Sequence, residues 1–354
     1  MNVLDVVFVI GGLSLLVGGG EALVRGASTL AVRAGISPLV IGLVVVSFAT
    51  SAPELAVSVG AVISGEPDLA VGNVVGSNIA NILLVLGISA VICPLVIKRQ
   101  LVKFDIPVMV AISVVFLLVS LDGRISLIDG VLLVGVLVIH AVMSIVLGKK
   151  DASAPSLEEN SLPFNTKPVP LWLAALLLLA GIGLLVVGAQ LLVTGAASIA
   201  TAFGVSSLVI GLTVVAIGTS LPELATSIVA LRKGETDMAV GNIVGSNIFN
   251  IGLVLGVPAI IFGDGIPVPD AAIAIDIPLM LAAAIALLPI AFTGFIVARW
   301  EGALFVSLYV AYTLYLVLDS TQHDATDGFT TIMLWFVLPL VGIILIAMAS
   351  YEVG

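Results

Sequence analysis

The chain has 354 residues, of which 60% are hydrophobic and only 10% charged, and it carries a formal net charge of −10. A soluble domain has about 25% charged residues, so these values, with a mean hydropathy of +1.32, exclude an ordinary soluble domain and predict an integral membrane protein. The single cysteine, Cys93, excludes a disulfide framework and a cysteine metal cluster.

A helical span needs ~20 predominantly apolar residues, and turn and charge punctuation divides the chain into about eleven such segments. They fall near 3–24, 36–63, 69–95, 104–120, 126–147, 171–198, 206–230, 239–262, 270–292, 299–318 and 329–350. The long runs lack the strict alternation of barrel strands, so the predicted fold class is an all-α polytopic membrane protein. Met1 to Asp5 lacks the basic start of a cleavable signal peptide, and none is expected.

The first segment carries Gly18 to Gly20 and, one helical turn apart, Glu21 and Arg25, which are expected to pair. The second contains GLVVVSFATSAPELAVSV at 42–59, and the next loop and segment read GEPDLAVGNVVGSNIANILLVLG at 65–87. Asp105, in an Asp-Ile-Pro that opens the fourth segment, is expected at a helix start or the membrane interface. His140 in the fifth segment and His323 further on stand isolated, so no histidine metal site is expected. The polar stretch KKDASAPSLEENSLPFNTKPVP at 149–170 reads as a solvated connector. After a glycine-rich sixth segment (Gly181, Gly183, Gly188) the pattern returns as GLTVVAIGTSLPELATSI at 211–228 and GETDMAVGNIVGSNIFNIGLVLG at 234–256, displaced by 169 residues. Asp276 opens the ninth segment as Asp105 opens the fourth.

An odd number of spans, five, separates equivalent points of the two copies, so they are inverted with respect to the membrane. Inverted repeats with interrupted helices are a transporter architecture in which the site lies near the midplane. The organisation expected is a first inverted repeat over 1–148, a cytoplasmic linker over 149–169, a second repeat over 170–319, and an outer loop with an extra C-terminal helix over 320–354. Orientation follows from charge. With the N-terminus outside, Arg25, Arg33, Lys98, Arg99, Lys103, Lys149, Lys150, Lys167, Arg232, Lys233 and Arg299 all fall inside and only Arg124 falls outside, as the positive-inside rule requires. The linker and C-terminus are then cytoplasmic and the protein a multi-pass component of the cell membrane. The outer loops are acidic, either as the remainder once basic residues are kept inside or as a surface that concentrates cations.

The repeated segment dictates its own chemistry. Each copy places one glutamate, Glu54 or Glu223, at membrane depth, where an ionised carboxylate is costly unless water, a cation or a donor meets it. Proline lacks the N–H that would bond four residues back, so Pro53 frees the carbonyl of Ala49 and Pro222 that of Gly218, and the carbonyls of Thr50 and Thr219 are loosened. Thr50 and Ser51 lie four and three residues before Glu54, on one helix face, and Thr219 and Ser220 stand likewise to Glu223. The following helices add Ser77 with Asn81 and Ser246 with Asn250. Ser47 and Ala216 are additional candidates through their backbone carbonyls. Oxygen-only donors suit hard cations such as Ca2+. Against this, single serines and threonines in membrane helices often only bond their own backbone. Gly72, Gly76, Gly241 and Gly245 are expected to permit close packing, and Asn73, Asn78, Asn242 and Asn247 to donate hydrogen bonds between helices.

The paired GTSLPELA and GNIVGSNIFNI segments resemble the two alpha repeats of the cation/calcium exchanger superfamily, closest to prokaryotic sodium/calcium exchangers. The resemblance implies a ten-helix core of two inverted five-helix repeats, with ion sites between the second, third, seventh and eighth spans. It implies Glu54 and Glu223 as central carboxylates and Thr50 and Thr219 as carbonyl donors to Ca2+. Ser51, Ser77, Ser220 and Ser246 would line flanking Na+ sites, with Asn81 and Asn250 at the middle level. Asn250 departs from the family, many of whose members carry aspartate there. The function so implied is an electrogenic Na+/Ca2+ antiporter working by alternating access, with Ca2+, Na+ and the bilayer as its partners. No cofactor, enzymatic activity or nucleic-acid partner is expected. A proton-coupled Ca2+ exchanger of the same fold is the alternative, ahead of a cation channel or an intramembrane enzyme.

Overall fold

The computed structural model describes residues 3–153, 169–205, 207–210, 213–214, 216–263, 265–292 and 294–344. Most of the expected linker, residues 345–350 of the eleventh span and a few residues of the seventh lie outside that set. Ten described helices are long and apolar enough to cross a membrane. They are α1 (Val3–Ala34), α2 (Pro38–Ile63), α3 (Pro67–Ile92), α4 (Leu101–Ser120), α5 (Leu127–Gly148), α6 (Leu171–Ala202), α8 (Thr236–Ile261), α9 (Ala272–Phe292), α10 (Arg299–Ser320) and α11 (Thr326–Ile344). The seventh region is helical at Ser207–Ile210, at Ala216–Thr219 and at Leu221–Arg232, the last of which we call α7. The chain is a multi-pass membrane protein: each helix satisfies its backbone internally, as a hydrocarbon environment demands.

Helices α3 and α8 form the centre, with 72% and 83% of their most apolar stretches buried, whereas α1 and α6 lie at the periphery with 22% each. Both peripheral helices run 32 residues, beyond the spans expected from the sequence. Arg25 and Arg33 do not end α1. The helix continues until Gly35, whose φ of 61° takes the chain out of the right-handed region. The two long helices lie backbone against backbone. A Cβ on Gly12 would sit 2.7 Å from the carbonyl oxygen of Gly188, one on Gly26 2.7 Å from that of Ala174, and one on Gly181 2.8 Å from that of Gly19. Small residues at such crossings let helices approach where lipid supplies no hydrophobic drive.

Two short antiparallel ladders tie the repeats together. β1 (Leu95–Val96) follows α3 and pairs with β4 (Ile296–Val297), which precedes α10. β2 (Arg124–Ile125) follows α4 and pairs with β3 (Ile266–Pro267), which precedes α9. Each ladder joins a strand of one repeat to a strand of the other, and the two lie at opposite ends of the bundle, as inversion requires. Matching hydrogen bonds continue them, Ile97 N–H to the Phe295 carbonyl at 2.7 Å and Val268 N–H to that of Gly123 at 2.9 Å.

Candidate functional site

Helix α2 is built in pieces: Pro38–Val40, a π-helical stretch Ile41–Val46, a short α-turn Ser47–Thr50, and Ala52–Ile63 beyond a break at Ser51. The second repeat breaks at the twin residue, between Ala216–Thr219 and Leu221–Arg232, at Ser220. Pro53 and Pro222 stand in the first turn after each break, where proline's missing N–H goes unneeded. Glu54 and Glu223 occupy the same first turns, at the end of a helix where the backbone dipole favours negative charge. Matched π-helical stretches occur in the facing helices, Ala80–Leu86 in α3 and Asn250–Leu255 in α8. Such bulges are frequent at functional sites, and here they begin next to Asn81 and at Asn250.

Both carboxylates are buried, Glu54 at 1% and Glu223 at 0% exposure. Although the Thr50 hydroxyl lies near Glu223, no oxygen of either carboxylate makes a hydrogen bond of good geometry within the protein. The same holds for the hydroxyls of Ser51 and Ser220, both polar atoms of the Asn81 amide, and Oδ1 of Asn250. Buried polar atoms are normally satisfied; here nine of the unpartnered ones belong to residues that the repeat singles out, and the others lie on Ser28, Ser89, His140, Thr226 and Asn247.

The remaining candidates hold the helices together. Thr50 Oγ1 donates to Asn242 Oδ1 at 3.2 Å and lies 3.3 Å from Ser246 Oγ; the twin contact joins Ser77 Oγ and Thr219 Oγ1 at 3.5 Å. Ser47 Oγ donates to the Gly42 and Asn242 carbonyls at 2.8 and 2.9 Å, while its own carbonyl accepts from Ser51 N–H at 2.9 Å. Gly218 packs on the Val193 side chain of α6. Ala49 is buried, and Ala216 opens the short turn before the break.

Three of the four asparagines bond between helices as expected. Asn73 donates to the Glu54 carbonyl at 3.1 Å and Ser58 Oγ at 3.0 Å, Asn242 to Ser227 Oγ at 3.4 Å, and Asn78 to the Asn247 carbonyl at 3.4 Å. Asn247 departs from the expectation: its amide donates to the Ile243 carbonyl of its own helix at 2.8 Å, and its Oδ1 is unpartnered. Asn250 donates to Asn78 Oδ1 at 3.1 Å. Glu21 pairs across helices with Lys233 at 3.2 Å rather than with Arg25, because α7 brings the ammonium alongside. Asp105 stands at the start of the α-helical part of α4, as expected, and is fully buried, bonding His140 at 2.9 Å; His140 is isolated only along the sequence. Thr226 went unnoticed in the repeat because its twin is Val57. Its buried hydroxyl is unpartnered and lies three residues after Glu223, a spacing that puts both on one helix face.

A pair of inverted helical repeats with broken helices meeting around buried, unpartnered oxygens defines a membrane transporter of the exchanger type. Comparison with known proteins is more specific. The profile of the sodium/calcium exchanger protein family matches residues 4–146 and 173–318, and the chain belongs to that family. It is 41% identical to the putative antiporter CaxA of Alkalimonas amylolytica, over 89% of this chain and 98% of that protein. It is 30% identical to the sodium/calcium exchanger MaX1 of Methanosarcina acetivorans, over 86% and 96%. Among solved structures, the sodium-calcium exchanger NCX_Mj soaked with zero Na+ and Ca2+ superimposes with a TM-score of 0.75 at 34% identity, covering 88% of this chain and 98% of that one. The fold is thus the exchanger fold, two inverted five-helix repeats, with α11 as an extra C-terminal helix.

Proposed function

We propose that the chain is a secondary active antiporter that exchanges Na+ for Ca2+ by alternating access, with Glu54 and Glu223 as the charged ligands. The observation that carries this reading is the pair of buried, partnerless carboxylates at twin, proline-flanked helix breaks. Two such charges in a membrane interior call for a counter-charge. One Ca2+ or two Na+ neutralises them, so the ions compete for one site and the doubly negative empty site resists crossing the barrier. Carbonyls of Thr50 and Thr219 complete the Ca2+ position; Ser51, Ser77, Ser220 and Ser246 line flanking Na+ positions, and Asn81 and Asn250 supply amide oxygens between them. A third Na+ per cycle makes exchange electrogenic, and the membrane potential then contributes ~2.3 kcal/mol per charge per 100 mV.

The moving body is α1 with α6. Their glycine-lined crossing makes them one unit, and they carry little that ligates a cation. Crosslinking α1 to the core abolishes transport on this reading, and undiminished exchange in the crosslinked protein overturns it. The protein sits in the cell membrane with its N-terminus outside.

The test is Ca2+ uptake into proteoliposomes loaded with Na+, with K+, or with buffer of a different pH, at clamped potential. Uptake only with internal Na+ is expected. Uptake driven by the pH gradient alone moves the protein to the proton-coupled reading, which the amide at Asn250 keeps in play because only two carboxylates face the site.

A further inference from the structure

Asp105 closes the π-helical turn Leu101–Asp105 that opens α4 and is fully buried. Its carboxylate accepts from His140 Nε2 and Ser144 Oγ, each at 2.9 Å, and from Gln100 Nε2 at 3.2 Å. His140 and Ser144, one turn apart on α5, are buried as well, and Phe104 stacks on the imidazole with centroids 5.8 Å apart. The second repeat builds the same joint. A π-helical turn Ala272–Asp276 opens α9, and Tyr312 of α10 donates to Asp276 Oδ1 at 3.3 Å. An aspartate therefore pins the fourth helix of each repeat to the fifth, with imidazole as partner in one repeat and phenol in the other. Either group serves as a staple. Of the two, only imidazole ordinarily changes charge between about pH 5 and 8.

We propose that Asp105 and His140 form an intramembrane proton-binding site, separate from the cation ligands, whose occupancy sets the rate of exchange. With Nε2 committed to Asp105, His140 Nδ1 is left without a partner, an arrangement that suits neutral imidazole with Nδ1 as its bare acceptor nitrogen. A second proton is drawn in by the carboxylate, yet it creates a buried N–H with no acceptor. The ring or the helix must then shift. Leu137, one turn before His140, packs directly on α8: a Cβ on Gly252 would lie 2.6 Å from Leu137 Cβ and 3.3 Å from the Leu133 carbonyl oxygen. Gly252 belongs to the π-helical stretch that starts at Asn250. A displacement of α5 at His140 is thus passed to the segment that carries a candidate ligand, and proton uptake slows exchange.

The other charged groups on the elements packed around the pair are Lys98, Arg99 and Lys103 along the entry to α4, Arg124 on β2, Asp129 on α5, Glu54 on α2, Asp237 on α8 and Asp276 on α9. Asp237 is held by Lys98 at 2.7 Å. Direct partners of Asp105 are Gln100, His140 and Ser144.

The chain has two histidines, so full-length protein with 15N-labelled histidine and His323→Asn reports His140 alone. Its ring signals are expected to change on acidification together with the fall in transport rate; ring signals that stay fixed while the rate falls overturn the proposal. In proteoliposomes, the rate at saturating Ca2+ is expected to fall several-fold on acidification. His140→Gln, whose amide still donates to Asp105, is expected to hold the high-pH rate throughout. A wild-type pH profile in His140→Gln overturns the proposal. Protonation of Glu54 or Glu223 instead raises the half-saturating Ca2+ concentration and leaves the rate at saturation alone. The transport readout rests on the exchange reading, but the ring titration does not, so the two fail separately.

Discussion

The two repeats carry nearly the same sequence at the site, yet they are packed differently. On one side the first half of α2 lies tight against α8. Pro38–Val40 packs on α8, and a Cβ on Gly241 would meet the Leu39 carbonyl oxygen at 2.7 Å. Gly245 abuts Ser47 Oγ and the Leu43 carbonyl. Thr50, Ser47, Asn242 and Ser246 then form a continuous polar seam. On the twin side Ser207–Ile210 packs on α6. There Gly72 and Gly76 have nothing within 4 Å of a Cβ among the described residues, and Ser77 reaches Thr219 only at 3.5 Å. Part of the difference is written in the sequence: Ser47, whose hydroxyl bonds the Asn242 carbonyl, has Ala216 as its twin, and Pro38 has Ser207. We read the rest of the asymmetry as a conformational state: an inverted repeat that swaps the two packings would close one face as it opens the other.

The largest effects test whether the two sides are equivalent in function. Glu54→Gln and Glu223→Gln should each lower Ca2+ uptake at least about 100-fold, comparable to the ~3 kcal/mol lost when one member of a buried charged set is removed. Equal losses are expected although the surroundings differ. A variant that keeps wild-type flux would remove its residue from the site. Next come the glycines. Gly245→Val cannot form the tight side as it stands, whereas Gly76→Val meets nothing among the described residues and is expected to block closure of its own side. Both should abolish exchange while trapping opposite states, so labelling of single cysteines at the site from the two faces of the membrane should give mirror-image patterns. Identical patterns would break the comparison.

Most of this was legible in the residues because the constraints are strong. A charged group in an apolar run, a proline at helix depth and a motif written twice each have few structural solutions, and Glu54, Ser51, Asn81 and their twins are all buried with unpartnered polar atoms. What stayed hidden depended on packing between segments. His140 finds Asp105 across 35 residues, and no periodicity announces that contact. Thr226 was masked by comparison with its apolar twin, and the length of α1 by basic residues that a helix end tolerates as easily as a loop does. The tight and loose sides are only partly visible in the residues: Ser47 against Ala216 favours one side, and the rest depends on packing between helices.

Asn242→Ala probes the seam itself. It takes Oδ1 away from the Thr50 hydroxyl, which keeps Ser246 Oγ at 3.3 Å, and leaves Ser227 Oγ without its donor, and a stranded buried group costs about 1–3 kcal/mol. The accessible fraction on the tight side should rise roughly 5- to 150-fold on the same scale, with Asn73→Ala, on the loose side, changing it less. Equal shifts from both would mean that the seam does not hold the tight side.

The smallest effect sits where the tight side meets solvent. Lys98 bonds Asp237 at 2.7 Å, joining the first repeat to the start of α8, with side-chain exposures of 46% and 26%. Pairs this wet contribute about 0.2–1 kcal/mol, so Lys98→Ala should shift the accessibility ratio by less than about fivefold, and less again at high salt, where the screening length falls to roughly 3 Å at 1 M. The neighbouring Glu235 adds a pH signature. Burial pushes its carboxyl above the ordinary value, the Asp237 charge pushes it further, and Lys98 opposes both. Its proton is therefore held more firmly in this arrangement than in one where the loop is solvated. The penalty for ionising it applies in full above the raised value and is relieved as pH falls through that value toward the ordinary carboxylate range, so mild acid should favour the tight side. Removing Lys98 takes away the opposing charge, so the acid-induced gain should be larger in Lys98→Ala than in the wild type. If the gain is smaller, Glu235 is not the group that titrates there.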